Sequence, residues 1–198
     1  MNQATSRTVL LTGAQGFLGR AIQRLAPAGI QLIPTDLSDS SEMSDHTPRW
    51  FRALNILNAT ENDFDGVDVV IHNAGLFDLT ASRTDLMKVN VEGSNRLATA
   101  AVRAGVKHFV QVSSTSIYGP RKPPIAEDTS EKTPIHHYGE SKWLGENESM
   151  AACEAAQVRW TAIRPTLIYG PGSRYGIAPF VAALHACAQR GIRPFLPA

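Results

Sequence analysis

The sequence predicts an α/β fold in which a doubly wound parallel sheet is covered by helices on both faces. Short apolar runs rich in Val, Ile and Leu alternate with longer segments of helical periodicity, and turn residues bound the runs. This alternation is typical of right-handed β-α-β units, whose strands lie parallel in one sheet. Since the chain has 198 residues, 43% of them hydrophobic, we expect residues 1–198 to form one domain with a buried core.

The order of the elements follows from these runs. Buried strands are predicted at residues 8–11, 30–33, 67–72, 107–112 and 158–163. Helices are predicted at residues 17–25, 83–104, 134–156 and 177–190. Residues 39–53 are irregular, and we expect a poor helix there with a short third strand that ends near Leu54. Pro34 is unusual, because an interior strand tolerates proline only at its tip.

The end of the sequence resembles the opening of a further strand, at residues 193–198. A domain rarely ends on a strand that has no neighbour to pair with. We therefore expect the C-terminal substrate region to be truncated in this chain, which would make it an incomplete version of a longer enzyme.

Composition and charge argue against several classes of protein. The formal net charge is +1 with scattered Lys and Arg, so we expect no nucleic-acid partner and no membrane partner. The two cysteines, Cys153 and Cys187, are predicted to be free thiols of a reducing compartment. The first residues lack the apolar run of a signal peptide, and no run reaches the ~20 apolar residues of a membrane span. The sequence thus predicts a cytoplasmic protein.

A glycine-rich turn follows the first strand and opens the first helix, as Thr12-Gly13-Ala14-Gln15-Gly16-Phe17-Leu18-Gly19. Gly13 permits the tight turn, Gly16 lets the backbone approach a pyrophosphate, and Gly19 lets helix and strand pack closely. The helix N-terminus adds free N–H donors for the anion. At this strand–helix junction the pattern predicts a dinucleotide site in a Rossmann fold rather than an ordinary flexible turn.

Asp36 ends the second strand, 17 residues after Gly19. A carboxylate at that point accepts hydrogen bonds from the adenosine ribose hydroxyls and repels the 2′-phosphate of NADP. No Arg or Lys follows within ten residues. The sequence therefore predicts NAD as the cofactor, with NADP less favoured; the alternative is that Asp36 only caps the next turn.

A tyrosine and a lysine lie one helical turn apart in Tyr138-Gly139-Glu140-Ser141-Lys142. A spacing of four places both side chains on one helix face. The phenol is a poor base at neutral pH, and a nearby ammonium would lower its pKa by stabilising the phenolate. The pair predicts an acid/base group with its partner, although an amphipathic helix face produces the same spacing.

Hydroxyl side chains follow the fifth strand, in Val112-Ser113-Ser114-Thr115-Ser116-Ile117-Tyr118-Gly119. The carboxyl ends of parallel strands border the crevice where ligands bind in this architecture. A hydroxyl there can hydrogen-bond a substrate oxygen and its developing charge. Taken alone, the segment would favour a capped loop over a substrate-binding site.

Together these motifs resemble the extended short-chain dehydrogenases/reductases, and within them the NAD-dependent epimerase/dehydratase family. The resemblance covers nearly the whole chain. Besides the glycine triplet and the Ser113-Ser114 stretch, it includes Asn73-Ala74-Gly75, Asn90-Val91-Glu92-Gly93, Tyr138 with Lys142, and Arg164-Pro165 with Tyr169-Gly170-Pro171-Gly172. It implies that Ser114 orients the substrate oxygen, that Tyr138 is the acid/base, and that Lys142 holds the phenolate and the cofactor ribose.

The resemblance also implies the cofactor-contacting positions. Besides Gly13, Gly16, Gly19, Asp36, Tyr138 and Lys142, these are Phe17, Leu18, Asn55, Ile56, Asn73, Ala74, Gly75, Asn90 and Pro165. Thr166 belongs to the same stretch as Pro165, beside the nicotinamide. Asn55 stands where the family usually has Asp, which is a departure at the adenine edge.

The implied function is hydride transfer between the nicotinamide of NAD(P) and a hydroxyl or carbonyl carbon of a sugar nucleotide or a steroid-like alcohol. The apolar segment Leu76-Phe77-Asp78-Leu79 favours the steroid-like alcohol. The alternative is a non-catalytic NAD(P)-binding module, either a redox sensor or an inactive fragment. The resemblance further implies a homodimer.

Several other residues are assigned structural rather than functional roles. His136 and His137 adjoin Tyr138, but consecutive helical side chains point apart and no ligand lies at metal spacing, so we expect no metal. His72, in a buried strand, is predicted to be a core residue. Residues 121–131 contain two adjacent prolines and are interpreted as a surface loop over the pocket.

Overall fold

The computed structural model describes residues 7–37, 51–78, 80–122, 124–128, 132–173 and 177–191. The chain divides into two compact units, Met1–Pro165 and Thr166–Ala198. The first unit holds the whole sheet, and the second holds one helix. That residues 1–198 act as one domain stays a prediction.

Six parallel strands form the sheet, in the order β3-β2-β1-β4-β5-β6. They are β1 (Arg7–Thr12), β2 (Ile30–Asp36), β3 (Arg52–Ala53), β4 (Val69–His72), β5 (His108–Val112) and β6 (Arg159–Ile163). The order reverses between β1 and β4, and such a reversal opens a ligand crevice beyond the carboxyl ends of the strands. The doubly wound parallel sheet predicted from the sequence is confirmed.

The helices follow the predicted segments with two differences. They are α1 (Phe17–Leu25), α2 (Arg83–Met87), α3 (Gly93–Arg103), α4 (His137–Ala155) and α5 (Ile177–Gln189). A π-helical turn, Lys88–Glu92, separates α2 from α3 inside the single helix predicted at 83–104. Helix α4 begins at His137 rather than at Pro134, because His136 keeps an extended backbone with φ −125° and ψ 149°. None of the described helices is both long and apolar enough to cross a membrane.

The register of β2 explains how the sheet accommodates Pro34. Pro34 pairs with Leu11 of β1, whereas β3 pairs only with Thr35 and Asp36. Among the described residues, Pro34 therefore has a strand neighbour on one side only. A sheet tolerates the missing N–H of proline at such an edge position. The poor helix expected after residue 39 and the strand opening at 193–198 lie outside the described residues.

The core lies between the central strands and α3. Its largest fully buried side chains include Leu10, Phe64, Phe109 and Leu97. Small residues on α3 let this helix approach its neighbours; they are Ala98, Ala100 and Ala101. Cys153 is buried in the same cluster and both cysteines are free thiols; burial raises the pKa of the Cys153 thiol to about 11.

Helix α4 approaches the π-helical turn so closely that only glycine fits between them. A Cβ at Gly145 would overlap the backbone carbonyl of Asn90. At Gly93, by contrast, a Cβ would meet the Ile56 side chain, whose end lies 2.7 Å away and can rotate.

We expect Gly145→Ala to destabilise the protein by about 3 kcal/mol or more, because a backbone carbonyl cannot move aside without shifting a helix. Gly93→Ala is the matched control, since both glycines are helical and gain about 1 kcal/mol of helix propensity. Its stability should stay within about 1 kcal/mol of the wild type. Urea unfolding measures the free energy of unfolding of both variants. Equal losses of stability would show that the contact between α4 and the π-helical turn is not tight.

Candidate active site

The glycine turn is held against the segment that follows β4. Gly13 has φ +66°, and a Cβ there would lie 2.7 Å from the Ala74 nitrogen. A Cβ at Gly19 would overlap the Gly13 carbonyl, so this position joins α1 to the turn. Gly16 is the N-cap of α1 and offers no side-chain cap to the first N–H groups. The turn thus leaves helix donors available to an anion.

Asp36 lies beside this turn, as the sequence predicts. Its Oδ2 accepts a hydrogen bond from the Gln15 N–H at 2.9 Å, and its Oδ1 accepts one from the Leu37 N–H at 2.9 Å. Each carboxylate oxygen can accept more than one hydrogen bond, so ribose hydroxyls could still bind there. Asp36 therefore caps the local backbone and also borders the crevice.

Asn73, Ala74 and Gly75 lie between the glycine turn and α4. The Asn73 amide donates to the Gly13 carbonyl at 3.0 Å, and the Ala74 N–H donates to Thr12 Oγ1 at 3.0 Å. A Cβ on Gly75 would lie 3.5 Å from Lys142 Nζ. The structure brings these residues next to the glycine turn and Lys142, and their contact with a cofactor stays a prediction.

A buried chain of hydrogen bonds runs behind the site, through His72. Thr12 Oγ1 lies 2.9 Å from His72 Nδ1, and His72 Nε2 lies 3.0 Å from Ser94 Oγ. Ser94 donates to the Asn90 backbone carbonyl at 2.7 Å, so it must accept from Nε2–H. Burial, reinforced by the charge of Lys142, lowers the pKa of His72 to about 3. His72 is therefore a neutral core residue, as expected.

The π-helical turn places the Asn90 side chain between three segments. Its Oδ1 accepts from the Leu76 N–H at 2.7 Å, and its Nδ2 donates to the Leu76 carbonyl at 3.0 Å and to Ser141 Oγ at 3.0 Å. Asn90 is buried, and its amide is engaged with protein groups. It positions the loop after β4 against α4, while its contact with a cofactor stays a prediction.

The Ser114 turn packs against the first turn of α4, where a Cβ on Gly139, next to Tyr138, would lie 2.7 Å from the Ser116 carbonyl. Ser114 begins a 3-10 turn (Thr115–Tyr118), and its Oγ accepts from the Ser116 N–H at 3.1 Å and from the Ser116 hydroxyl at 2.8 Å. The Phe77 ring stands edge-on to the Tyr138 ring, with centroids 4.9 Å apart. Burial raises the pKa of Tyr138, and the Ser114 hydrogen bond opposes that rise.

Lys142 is buried on the next turn of α4. Its ammonium donates to the Val112 carbonyl at 2.8 Å, and burial lowers its pKa to about 8 against the opposing charge of Glu146. The sequence predicted that this ammonium would lower the pKa of Tyr138. That prediction is wrong for this structure, because the ammonium bonds to Val112 and burial of the phenol dominates.

The remaining residues predicted to contact the cofactor differ in their burial and in their hydrogen bonds. Phe17 and Leu18 are half-buried at the start of α1, and the Pro165 carbonyl accepts from the Thr115 N–H at 3.0 Å. Ile56 is buried in the core, and Asn55 caps a short turn by accepting from the Leu57 N–H at 3.0 Å. Their proposed adenine contacts stay predictions. Thr166 begins the second unit.

Sequence reasoning missed a buried ion pair beside Lys142. Glu146, 2% exposed, pairs with Arg164, whose NH2 lies 2.5 Å from Oε1. The available signal was spacing: Glu146 follows Lys142 by four residues. His136 and His137, by contrast, are exposed. Across the described ranges, no group of three His, Cys, Asp or Glu side chains could hold a metal ion.

Comparison with known proteins places this geometry in one family. Residues 9–193 match the NAD dependent epimerase/dehydratase family. The chain is 31% identical over 183 residues to a 3 beta-hydroxysteroid dehydrogenase/Delta 5-->4-isomerase of Monkeypox virus, covering 83% of this chain and 53% of that protein. The chain thus spans about half the length of this curated relative.

Two solved structures are similar to the chain as well. The Bordetella bronchiseptica enzyme WbmG in complex with NAD superposes with a TM-score of 0.79 at 25% identity, over 98% of this chain and 63% of that one. MoeE5 in complex with UDP-glucose and NAD gives a TM-score of 0.75 at 28% identity, over 93% and 62%. Both structures contain bound NAD.

The neutral state of buried His72 predicts a pH dependence of stability. Its folded pKa, about 3, lies below the ordinary histidine pKa of 6.5, so the unfolded chain binds a proton first as the pH falls. This contribution is fully present above pH 6.5 and is lost towards pH 3, at up to roughly 1.4 kcal/mol per pH unit. Urea unfolding between pH 7.5 and pH about 4 measures it.

His72→Gln is the control variant, because it removes the titrating ring and retains a donor and an acceptor. It should be less stable than the wild type at neutral pH, yet lose less stability on acidification. An identical acid slope in both proteins would assign the slope to carboxylates instead.

Proposed function

This chain belongs to the NAD dependent epimerase/dehydratase family, and on that premise we propose that it carries the cofactor site and the acid/base site of an NAD-dependent oxidoreductase or epimerase. The substrate would be oxidised or reduced at a carbon that bears a hydroxyl or carbonyl group. One observation carries the proposal: the buried Lys142 of the Tyr138 helix donates to the Val112 carbonyl at 2.8 Å, at the end of β5 and two residues before Ser114.

Several features of the chain fit NAD. The glycine turn leaves the α1 N-terminus without a side-chain cap, which suits a pyrophosphate, and Asp36 suits a ribose diol better than a 2′-phosphate. Lys142 Nζ lies beside Gly75, where a Cβ would be 3.5 Å from it. NAD, when bound, would supply the redox chemistry by accepting or returning a hydride.

The acid/base work falls to three residues. Because burial raises the pKa of Tyr138, its phenol is protonated at neutral pH and is ready to donate a proton to a substrate oxygen. Ser114 would hold that oxygen within reach of the phenol. In the oxidative direction the phenolate is needed, and the Lys142 ammonium would stabilise it by leaving Val112 and turning towards the ring.

For the substrate we favour a steroid-like or other hydrophobic alcohol. The Phe77 ring is 44% exposed and stands against Tyr138, so an apolar surface borders the reacting position. The viral relative carries a hydroxysteroid dehydrogenase name. A sugar nucleotide is the second candidate, since MoeE5 was crystallised with UDP-glucose. A non-catalytic module, a homodimer and a cytoplasmic location stay predictions.

Calorimetric titration with NAD and with NADP tests the cofactor site. We expect saturable binding with NAD the tighter ligand. Asp36→Asn should weaken NAD roughly tenfold, because a hydrogen bond to a charged acceptor contributes about 1.5 kcal/mol, and should narrow its advantage over NADP. Asp65→Ala, at an exposed carboxylate, is the control. Equal affinities in Asp36→Asn and wild type would leave Asp36 as a turn residue only.

Replacing the phenol tests the acid/base assignment. Tyr138→Phe should reduce turnover of a 3β-hydroxysteroid or of UDP-glucose by roughly 10²–10⁴-fold, while NAD affinity changes less than about twofold, because only the hydroxyl is lost. Tyr169→Phe, at an exposed ring, serves as the matched control. Turnover of Tyr138→Phe at the wild-type rate would contradict the proposal.

A further inference from the structure

The ion pair between Glu146 and Arg164 is buried and two-pronged. Arg164 Nε donates to Glu146 Oε2 at 3.0 Å, and Arg164 NH2 donates to Oε1 at 2.5 Å. The Glu146 side chain is 2% exposed and that of Arg164 is 19% exposed. Both carboxylate oxygens are therefore committed to one guanidinium, the geometry in which such pairs are strongest.

Arg164 is itself fixed by other contacts. Its NH1 donates to the Tyr118 hydroxyl at 2.7 Å and to the Glu127 carbonyl at 2.8 Å. The backbone on either side is tied to the Ser114 turn, since Ser113 N–H donates to the Ile163 carbonyl at 2.7 Å. The guanidinium is therefore held in one place by the same turn that carries Ser114.

Glu146 also stands one helical turn after Lys142, so the two buried side chains share a face of α4. A carboxylate and an ammonium at this spacing are neighbours on the helix surface and can pair with each other. Here the ammonium instead donates to the Val112 carbonyl, on the side of Gly75 and the candidate cofactor site. Something must keep the carboxylate from capturing it.

We propose that Arg164 is a positioning residue that holds both oxygens of Glu146 and thereby prevents this carboxylate from pairing with the Lys142 ammonium. The inference rests on the proposed role of Lys142 at the phenol and the cofactor. It gives the Arg164-Pro165 pair of the sequence a function: Arg164 leaves Lys142 free to turn towards Tyr138 instead of locking it along the helix.

The charges around Lys142 are consistent with this arrangement. The titratable groups that act on or face the ammonium are Glu146 and Tyr138 from α4 and His72 from β4. His72 is neutral and Tyr138 is protonated, so Glu146 is the one anion in this set. Removing Arg164 would leave the charge of Glu146 uncompensated in a buried place. Two ammonium groups feel that charge, Lys142 and the more exposed Lys132, and Lys142 is the one on the same face of α4.

The test measures the titration of Lys142 in the chain without cofactor, by NMR of lysine labelled with ¹³C at Cε. The chain has five lysines, and the spectrum of Lys142→Met identifies the Lys142 signal by its absence. In the wild type this signal should titrate well below the exposed lysines. In Arg164→Met the Lys142 pKa should rise by at least one unit, because Glu146 now pairs with the ammonium.

The double variant Arg164→Met with Glu146→Gln should bring the Lys142 pKa back to the wild-type value or below it. If Arg164 only stabilised the fold, the double variant would regain stability, and the Lys142 pKa would not rise in Arg164→Met. An unchanged Lys142 titration in Arg164→Met, or a rise that persists in the double variant, would overturn the proposal.

If Arg164→Met fails to fold, as circular dichroism would show, Arg164→Lys takes its place. A lysine keeps the charge but cannot bond both oxygens of Glu146 and Tyr118 together, so the Lys142 pKa should rise in the same direction by a smaller amount. Its failure to rise would overturn the proposal equally. NAD titration of the wild type is a separate measurement, so absence of NAD binding would contradict the proposed function and leave the lysine result standing.

Discussion

The burial of one ammonium group, that of Lys142, is the constraint on which the rest of the site depends. Its folded pKa of about 8 lies below the ordinary lysine pKa of 10.5, which corresponds to a cost of roughly 3 kcal/mol in holding the charge there. Because the folded pKa is the lower one, that cost is fully present below pH 8 and is removed as the pH rises towards 10.5. This free-energy cost comes from holding a cation beside Gly75 and the helix turn of Tyr138.

The groups around the Lys142 ammonium include few anions. Glu146 supplies a compensating field from the next helix turn, while Arg164 prevents it from becoming a direct partner. The other neighbours are neutral: His72 has a pKa of about 3, and burial keeps Tyr138 protonated. The ammonium thus retains donors that the Val112 carbonyl alone does not use.

The sequence predicts well what depends on local pattern. The β1–α1 glycine turn, the parallel strands and the Tyr138–Lys142 spacing are each set by residues close together in the chain, so periodicity and turn chemistry suffice. The π-helical turn at Lys88–Glu92 could not be predicted, because it depends on the Asn90 bonds to Leu76 and Ser141 and on Gly145 across the interface. Arg164 and Glu146 likewise meet only after folding.

Protonation states were the least accessible to sequence reasoning, since a pKa depends on burial and on partners brought from elsewhere. The ammonium one turn away suggested a lowered phenol pKa, yet burial raises it and the ammonium bonds to a carbonyl of β5. The residue spacing was right and the electrostatic consequence was not.

The glycine turn and the helix turn that carries Tyr138 are connected by hydrogen bonds between neutral groups. From Thr12, next to the glycine turn, hydrogen bonds pass through His72 and Ser94 to the Asn90 carbonyl. The Asn90 amide continues them to Ser141, whose hydroxyl donates to the Tyr138 carbonyl at 2.8 Å. Every donor in this path has a defined acceptor only while His72 stays uncharged. The contacts between the glycine turn and the helix turn that carries the Tyr138 phenol therefore depend on the same burial that keeps His72 neutral.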